Sequence, residues 1–466
     1  MSSSSGRRVV LLVAGLFASS IALSLVAPSP AEGQERPDVV VIVTDDQRAE
    51  SLSHMPDLRR RLVKRGIRLR SAYVPNPTCC PSRASLFTGT YSHTNGVWNN
   101  HGPFGGFPVF DPSSTLATWL DELGYRTGLF GKYLNGYVDP SVVPPGWDEW
   151  FGFLGDPQRS YYGFDASLNG RLRAFPDDVY STVETYERVA DFIRATPRQQ
   201  PVLAVWTPFA PHDPNVPEVR YAKTSLDVKP WRPPNYNERD TSDKPFWLRR
   251  IDRLSAGDRR AIDAERIDQL RTLLSVDDGV EEIVRTLRQR GRLSRTFLLF
   301  TSDNGYMWGE HRLKKKSAPY AGASRVPMIV RYDPFVGASR RGSSIGSSVL
   351  NIDIAPTIME VVGAAPGSPV DGRSFRRLLD GSRRSVRTRF VIEHAQTGRP
   401  PAYCGARTRD ELFVRYSTGE EEYYRLDVDP WALHNLAGGG GWGAEIRELR
   451  NYARSRCDPV PPGFSW

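Results

Sequence analysis

The sequence predicts an α/β protein: a large, mostly parallel sheet sandwiched by helices, with a smaller antiparallel-sheet subdomain at the C-terminal end. The apolar, β-branched runs at residues 38–44 and 295–301 are typical of strands buried on both faces of a sheet. Helical patterns separate such runs, as the crossover connections of a parallel sheet require. From about residue 384 the apolar runs become short and alternate with turn residues, which favours antiparallel pairing.

The predicted elements follow in chain order. Strands are predicted at residues 38–44, 201–207, 295–301 and 326–331, with a short strand ending at Tyr73. Helices are predicted at residues 59–66, 114–123, 182–195, 258–290 and 352–362, the first two ending at glycine. The C-terminal sheet is predicted from residues 390–393, 411–416 and 422–426. The Pro- and charge-rich residues 213–249 predict a long surface insertion, a usual place for substrate contacts.

The N-terminus has the pattern of an export signal. Arginines at positions 7 and 8 precede an uncharged, mostly apolar run over residues 9–26, and small residues at 29–31 offer a cleavage site. The run is long enough that an uncleaved membrane anchor is the alternative. We therefore predict an exported protein that meets a membrane only if the signal is uncleaved. The predicted domains are a signal at 1–31, a main catalytic domain at 38–383 and a C-terminal subdomain at 384–466.

Composition sets further bounds. A chain of 466 residues that is 39% hydrophobic and 11% aromatic can bury a large core, which excludes a disordered protein. The net charge of +9 would attract nucleic acid, anionic lipid or sulfated and carboxylated glycans, although an arginine-biased, solvated surface is the simpler explanation. Only eight of the 62 basic residues are lysine, so a retained lysine is a candidate for a place that needs a compact ammonium.

Four cysteines are too few for a disulfide framework in a chain of this length. Cys404 and Cys457 can pair in an oxidising compartment. Cys79 and Cys80 are adjacent, lack partners at zinc-ligand spacing, and need a separate explanation.

Polar residues follow three of the predicted core strands. They are Asp45 and Asp46, then His212 and Asp213, then Asp303 and Asn304. In an open α/β sheet, ligands bind beyond the carboxyl ends of the strands, and oxygen ligands suit Ca²⁺ or Mg²⁺. The alternative is that these residues form turns and helix caps. Two pairs of oxygen ligands at separate strand ends, Asp45–Asp46 and Asp303–Asn304, favour the metal site.

Residues 79–89 predict a helix whose first turn contains Pro81. Cys79 would then lie at the positive end of the helix, where an anion meets free N–H groups and Arg83 adds a guanidinium. On this evidence alone, a cysteine nucleophile and a structural cysteine remain equal alternatives.

The string Cys79-Cys-Pro-Ser-Arg83, followed by Leu-Phe-Thr-Gly89, resembles the signature of the type I sulfatases in the alkaline phosphatase-like superfamily. With Cys80 inside it and Asn99-Asn100 downstream, it is most similar to the N-acetylglucosamine-6-sulfatase and extracellular endosulfatase branch. The resemblance continues through residues 124–132, 303–305 and 403–408. It implies that a formylglycine-generating enzyme oxidises Cys79 to Cα-formylglycine.

The resemblance also assigns roles residue by residue. The implied ligands of Ca²⁺, or alternatively Mg²⁺, are Asp45, Asp46, Asp303, Asn304 and the modified Cys79. Arg83 would steady the formylglycine, while Lys132, His212 and Lys316 would hold the sulfate and assist the leaving group. Many sulfatases have histidine where this chain has Leu134, so the general base is open, with His93 and His311 as candidates.

The resemblance implies an exported hydrolase of sulfate monoesters, acting on sulfated carbohydrate of the 6-O-sulfated glucosamine type and having no nucleic-acid partner. Hydrolysis of phosphodiesters or phosphonate esters is the alternative within the superfamily, because the same kind of site binds tetrahedral oxyanions. The alternative of a different class is a non-catalytic protein that binds sulfated glycans and never acquires formylglycine.

Overall fold

The computed structural model describes residues 36–155, 161–396 and 398–466, together with residues 1, 2 and 6. The chain divides into two units, Met1–Gln34 and Glu35–Trp466. The predicted signal at 1–31 therefore lies almost wholly outside the described residues. No helix in the described ranges has the length and apolarity needed to cross a bilayer.

A ten-stranded sheet forms the centre of the unit Glu35–Trp466. Its strands, in chain order, are β1 (Asp38–Thr44), β2 (Ile67–Tyr73), β3 (Arg126–Gly131), β4 (Glu149–Phe153), β5 (Asp165–Leu168), β6 (Arg171–Ala174), β7 (Val202–Thr207), β8 (Thr296–Ser302), β11 (Met328–Arg331) and β12 (Ser343–Leu350). The short strands β9 (Met307–Trp308) and β10 (Lys314–Lys315) pair with each other in a hairpin. The spatial order is β12-β2-β11-β8-β1-β7-β3-β4-β5-β6, with β11, β5 and β6 antiparallel to their neighbours. This confirms the predicted mostly parallel sheet.

β1 lies in the middle of this sheet because its sequence, DVVVIVT, is apolar on both faces. Its neighbours are β8 and β7, both parallel to it, with Val41 opposite Leu299 and Val205. Val41 packs into the core on one face of the sheet, and Ile42 packs into the core on the other. The carboxyl ends of three adjacent parallel strands therefore meet at one edge of the sheet.

Helices cover both faces. They are α1 (Pro56–Leu58), α2 (Cys79–Thr88), α3 (Ser92–Asn95), α4 (Leu116–Asp121), α5 (Ser181–Ala195), α6 (Phe246–Arg249), α7 (Ala256–Gln289), α8 (Ala321–Ser324), α9 (Ile354–Val361), α10 (Arg376–Leu379) and α11 (Gly443–Arg456). In place of the helix predicted at 59–66, α1 continues beyond Leu58 as a π-helical turn over Arg59–Val63. The helix predicted at 114–123 is shorter, because Thr115 caps it and Gly124 has a left-handed φ of +81°.

The C-terminal sheet is antiparallel and has four strands: β13 (Arg389–His394), β14 (Tyr403–Thr408), β15 (Glu411–Tyr416) and β16 (Glu421–Arg425). Helix α11 packs against it, and a disulfide joins Cys404 in β14 to Cys457 just after α11. The predicted pairing of these cysteines is confirmed. The division of the main unit into domains at residue 384 stays a prediction.

Most residues of the insertion at 213–249 are exposed or half-buried, as predicted for a surface segment. Part of it is buried, because Glu238 pairs with His311 and the fully buried ammonium of Lys244 lies 3.4 Å from the Glu238 carboxylate. The insertion therefore packs beneath the segment that carries Lys316, rather than simply covering the surface.

Candidate active site

The structure brings the polar ends of three strands together. Asp45 and Asp46 follow β1, His212 follows β7, and Asp303 and Asn304 follow β8. Backbone hydrogen bonds connect these ends: the Asp303 N–H donates to the Thr44 carbonyl over 3.0 Å, and the Asp45 N–H donates to the Ala210 carbonyl over 3.2 Å. All three strand ends thus face one buried site.

Helix α2 supplies Cys79 to this site. The helix begins at Cys79 after an extended Thr78, and all ten of its residues are buried. The Cys79 thiol lies 3.5 Å from Asp45 Oδ1, and Lys316 Nζ lies 2.8 Å from Cys79 Sγ. Cys79 therefore occupies the positive end of the helix, with a carboxylate on one side and an ammonium on the other.

Cys80 has a different environment. Its Sγ accepts the Asn135 N–H over 2.9 Å, and its own backbone N–H donates to Asn100 Oδ1, also over 2.9 Å. Burial, reinforced by the neighbouring Cys79, raises the pKa of the Cys80 thiol to about 12. Cys80 is therefore a neutral, structural thiol at neutral pH.

Four cationic side chains surround the acidic groups. Lys132 Nζ lies 2.5 Å from Asp45 Oδ2, and Lys316 Nζ donates to Asp46 Oδ1. Burial opposes ionisation of Asp45, but Lys132, His212 and Arg83 outweigh it and hold the pKa of that carboxyl well below its ordinary value. Burial likewise opposes the charge on Lys132 and Lys316, yet the facing carboxylates raise the pKa of both ammonium groups. The site is thus a set of buried, mutually neutralising charges.

The neighbouring lysines are engaged elsewhere. Lys314 Nζ lies 3.4 Å from Glu265, and the exposed Lys315 Nζ lies 3.0 Å from Asp213. Of the three consecutive lysines, Lys316 is the one in contact with Cys79 and Asp46.

Arg83 lies on α2 one turn after Cys79, and it is buried. Its Nε donates to Asp303 Oδ2 over 2.8 Å, and its Nη1 donates to the Lys132 carbonyl over 2.6 Å. Nη2 lies 3.4 Å from Asp45 Oδ2 but makes no hydrogen bond with any described residue. Arg83 therefore connects the ends of two strands, and its Nη2 remains available as a hydrogen-bond donor.

His212 presents its Nε2 to the acidic groups, 3.7 Å from Asp46 Oδ2. Asp213 engages the other ring nitrogen, with Oδ1 at 2.9 Å from Nδ1. Burial favours the neutral ring, but Asp45 and Asp46 raise the pKa of His212 to about 10. Phe209 supports the ring at a centroid distance of 4.8 Å and lies under Lys132. No role in holding His212 was predicted for Asp213 or Phe209, although both stand close to His212 in the same short loop.

The donor set can hold a divalent cation. Ligand atoms of Asp45, Asp46, Cys79 and His212 lie within 4.8 Å of one another, in a group drawn from the described residues. Asn304 Oδ1 is buried and accepts no hydrogen bond from any residue that the structure describes, while its amide nitrogen donates to Asp46 over 2.6 Å. A buried acceptor without a donor is costly unless another partner, such as a cation, satisfies it. Asp303 lies outside the group of four, because its oxygens accept from Arg83 and from the Asp46 N–H.

Neither histidine proposed as a base contacts Cys79. His93 lies 2.6 Å from Glu393, and His311 lies between Glu238 and Asn235. Leu134, which stands where many sulfatases have histidine, is buried in the apolar core. These contacts favour structural roles for both histidines.

Two family models match this chain. The model described as Sulfatase matches residues 37–364, which include every candidate site residue. The model described as N-sulphoglucosamine sulphohydrolase, C-terminal, matches residues 309–452.

Individual proteins agree with these matches. The extracellular sulfatase SULF-1 homolog of Drosophila melanogaster is 35% identical over 376 residues, covering 77% of this chain but 33% of the fly protein. The N-acetylglucosamine-6-sulfatase of Capra hircus is 30% identical over 461 residues, covering 87% of this chain and 81% of the goat enzyme. The solved structure of BT4656 in complex with its substrate D-glucosamine-2-N,6-O-disulfate superimposes with a TM-score of 0.77 at 22% identity, covering 91% and 97% of the two chains. The chain therefore belongs to the sulfatase family, whose members are sulfuric ester hydrolases with the alkaline phosphatase-like fold.

Proposed function

We propose that this protein hydrolyses sulfate monoesters of carbohydrates carrying 6-O-sulfated glucosamine, with residue 79 acting as formylglycine. The observation that carries the proposal is the position of Cys79, at the N-terminus of a buried helix and in contact with Lys316 and Asp45. The glucosamine assignment is supported by the names of the goat enzyme and of the ligand in the solved structure.

Two groups would supply chemistry that the unmodified side chains lack. Ca²⁺ held by Asp45, Asp46, Asp303 and Asn304 would neutralise the sulfate oxygens, with Mg²⁺ as the alternative ion. Hydrated formylglycine at position 79 would offer a geminal diol, one hydroxyl to attack sulfur and the other to release sulfate afterwards. The orphaned Asn304 Oδ1 and the close approach of ligand atoms of Asp45, Asp46, Cys79 and His212 support the cation.

The protein's own cations would bind the sulfate. Lys132 and Lys316 are buried ammonium groups beside residue 79, so they can offset the negative charge that hinders approach of a nucleophile to a sulfate. Arg83 Nη2 is a remaining donor in the same place. Because these groups are fixed by ion pairs before substrate arrives, little reorganisation is needed in the transition state.

His212 would protonate the departing alcohol. Asp213 occupies Nδ1 of the ring, so Nε2 is the nitrogen that faces the site. Lys316 is the second candidate acid, because its ammonium also faces the site. The arrangement thus provides an acid near the leaving group without a histidine at position 134.

We also propose that the protein is exported and that a formylglycine-generating enzyme acts on it during maturation. The Cys404–Cys457 disulfide supports an oxidising compartment. The relatives that match the chain include extracellular sulfatases.

Kinetics on paired substrates would test the function. We expect enzyme co-expressed with a formylglycine-generating enzyme to turn over 4-nitrophenyl sulfate faster than bis(4-nitrophenyl) phosphate, and to release sulfate from glucosamine 6-sulfate faster than from N-sulfoglucosamine. Cys79→Ala, prepared identically, is the inactive control, and Cys80→Ala is the matched variant that should retain activity.

Two results would overturn the proposal. Faster turnover of the phosphodiester would assign the site to phosphodiester or phosphonate hydrolysis. Absence of formylglycine from protein co-expressed with the generating enzyme, together with no turnover of any sulfate ester, would favour the non-catalytic glycan-binding alternative.

A further inference from the structure

An arginine-lined groove lies outside the candidate active site. It has a volume of about 900 Å³ and runs between strands β2 and β12 on one side and residues 384–388 with the β14–β15 turn on the other. None of the residues assigned to the candidate active site lines it. The groove therefore needs an explanation of its own.

The lining carries five arginines and one carboxylate. The arginines are Arg70, Arg325, Arg384, Arg387 and Arg409, and the carboxylate is that of Asp410. Arg325 is paired with Glu50, and the buried Arg387 is paired with Asp353. Arg409 is 82% exposed and lies 3.6 Å from Asp410, a contact too exposed to neutralise it fully.

Two of the arginines keep their full hydrogen-bonding capacity. Within the described ranges, neither Arg70 nor Arg384 makes an ion pair or side-chain hydrogen bond. Both side chains are exposed at the groove. Close by, burial and the like charges of Arg325 and Arg70 lower the pKa of Arg68. The positive charges of Arg70 and Arg384 thus face the groove without an acidic partner among the described residues.

The groove has the chemistry of a site for sulfate and carboxylate groups. A guanidinium presents a planar fork that binds these groups through two parallel hydrogen bonds. Ser71 and Ser348 line the same walls and carry hydroxyl groups as further donors. A second cavity of about 340 Å³ shares Arg70 and Arg325 with the groove, so the basic lining continues past one pocket. The five guanidinium groups along the walls of the groove suit a repeatedly charged ligand better than a single anion.

We propose that this groove binds a segment of an anionic polysaccharide, sulfated or carboxylated, and so holds a polymer on the enzyme while the active site acts on it. The choice of polysaccharide over other polyanions rests on the proposed function. The location rests on the charge and shape of the groove alone. Nucleic acid, the other polyanion that a basic groove attracts, is an outcome that the test must separate.

The test compares two triple variants with the same change in net charge. Arg70→Ser/Arg384→Ser/Arg409→Ser removes exposed groove arginines, and Arg171→Ser/Arg253→Ser/Arg260→Ser removes three exposed arginines elsewhere. Fluorescence anisotropy would measure the affinity for labelled heparin-derived oligosaccharides at several salt concentrations. We expect the groove variant to bind about tenfold more weakly, with a shallower dependence on salt, and the control variant to bind like wild type.

Turnover separates this proposal from the proposed function. Both variants should hydrolyse 4-nitrophenyl sulfate at the wild-type rate, while the groove variant should show a raised KM and an unchanged kcat on a sulfated polysaccharide. Wild-type affinity in the groove variant, or an equal loss in the control, would overturn the groove assignment. Tighter, groove-dependent binding of single-stranded DNA of matched charge would overturn the choice of polysaccharide. Oligosaccharide binding by wild type without turnover of any ester would refute the proposed sulfatase activity, while the proposed role of the groove in binding would remain supported.

Discussion

Lys316 Nζ lies 2.8 Å from Cys79 Sγ, although 237 positions separate the two residues in the chain. The contact forms because Lys316 follows a buried anchor: Arg312 donates to the carbonyls of Glu238 and Ile251, and His311 pairs with Glu238. The insertion at 213–249 thus supports the segment that brings an ammonium to residue 79.

Lys316→Ala should lower kcat/KM on sulfate esters by about 10²–10³-fold, the usual loss for a charge-stabilising donor in a buried site. Lys314→Ala is the matched control, because Lys314 is 41% exposed and pairs with Glu265, which is not a site residue. Its effect should stay within about twofold. Similar losses of kcat/KM in both variants would contradict a direct role for Lys316 at the site.

Adding Ca²⁺ to chelated protein should restore activity and raise the melting temperature in proportion to the logarithm of its concentration. The stability gain should be modest, because Lys132, Lys316 and Arg83 already pair with the acids when no cation is bound. Differential scanning calorimetry against Ca²⁺ concentration measures this. Verified metal-free protein with full activity would contradict the metal site.

Asn304→Ala should shift that Ca²⁺ titration to higher concentration, since it removes the buried Oδ1 that lacks a protein donor. Asn76→Ala is a suitable control, because Asn76 is equally buried and bonds to Ser92 and the Trp98 carbonyl. The control should lose stability at every Ca²⁺ concentration without a shift in the midpoint. A shift in the control alone would argue against Asn304 as a ligand.

Removing the disulfide through Cys404→Ala/Cys457→Ala should lower the free energy of unfolding by about 2–4 kcal/mol, because the bond closes a long loop in the unfolded chain. Denaturant titration of the double variant and wild type gives the difference. Activity on small esters should persist under native conditions. An unchanged midpoint would mean that the bond contributes nothing to stability.

Acid should destabilise the fold through His394. Burial lowers the pKa of this histidine to about 3, and its Nε2 has no partner among the described residues. At a pH below about 6.5, the pKa of this histidine in the unfolded chain, the ring is protonated in the unfolded chain but stays neutral in the folded protein. Stability should therefore fall by about 1.4 kcal/mol per pH unit between pH 6.5 and 3 from this group. His394→Phe should show a correspondingly shallower loss in urea titrations at pH 7, 6 and 5.

Much of the candidate site follows from sequence because its residues stand at the ends of strongly patterned strands. The centres of β1 and β8 are continuously apolar, so their ends before Asp45 and Asp303 were predictable, and parallel order brings such ends together. The helix beginning at Cys79 was predictable from Pro81.

Other parts of the structure have no sequence pattern from which they could be predicted. β12 reads SSIGSSVL and is largely polar, because it lies at the edge of the sheet, where one side of the strand has no neighbour. Helix α11 has few apolar residues and depends on packing against β14. The burial of Glu238 and Lys244 depends on partners distant in the chain, and no local pattern reveals such pairs.

The most direct test of the account is the mass of the peptide containing residue 79 from active, exported protein. We expect an aldehyde in place of the Cys79 thiol, which a hydrazide reagent will trap. The Cys80 thiol should be intact, so that it is alkylated after denaturation. Turnover across preparations should rise in proportion to the fraction of aldehyde. Full sulfatase activity in protein whose Cys79 is entirely an unmodified thiol would contradict the central claim.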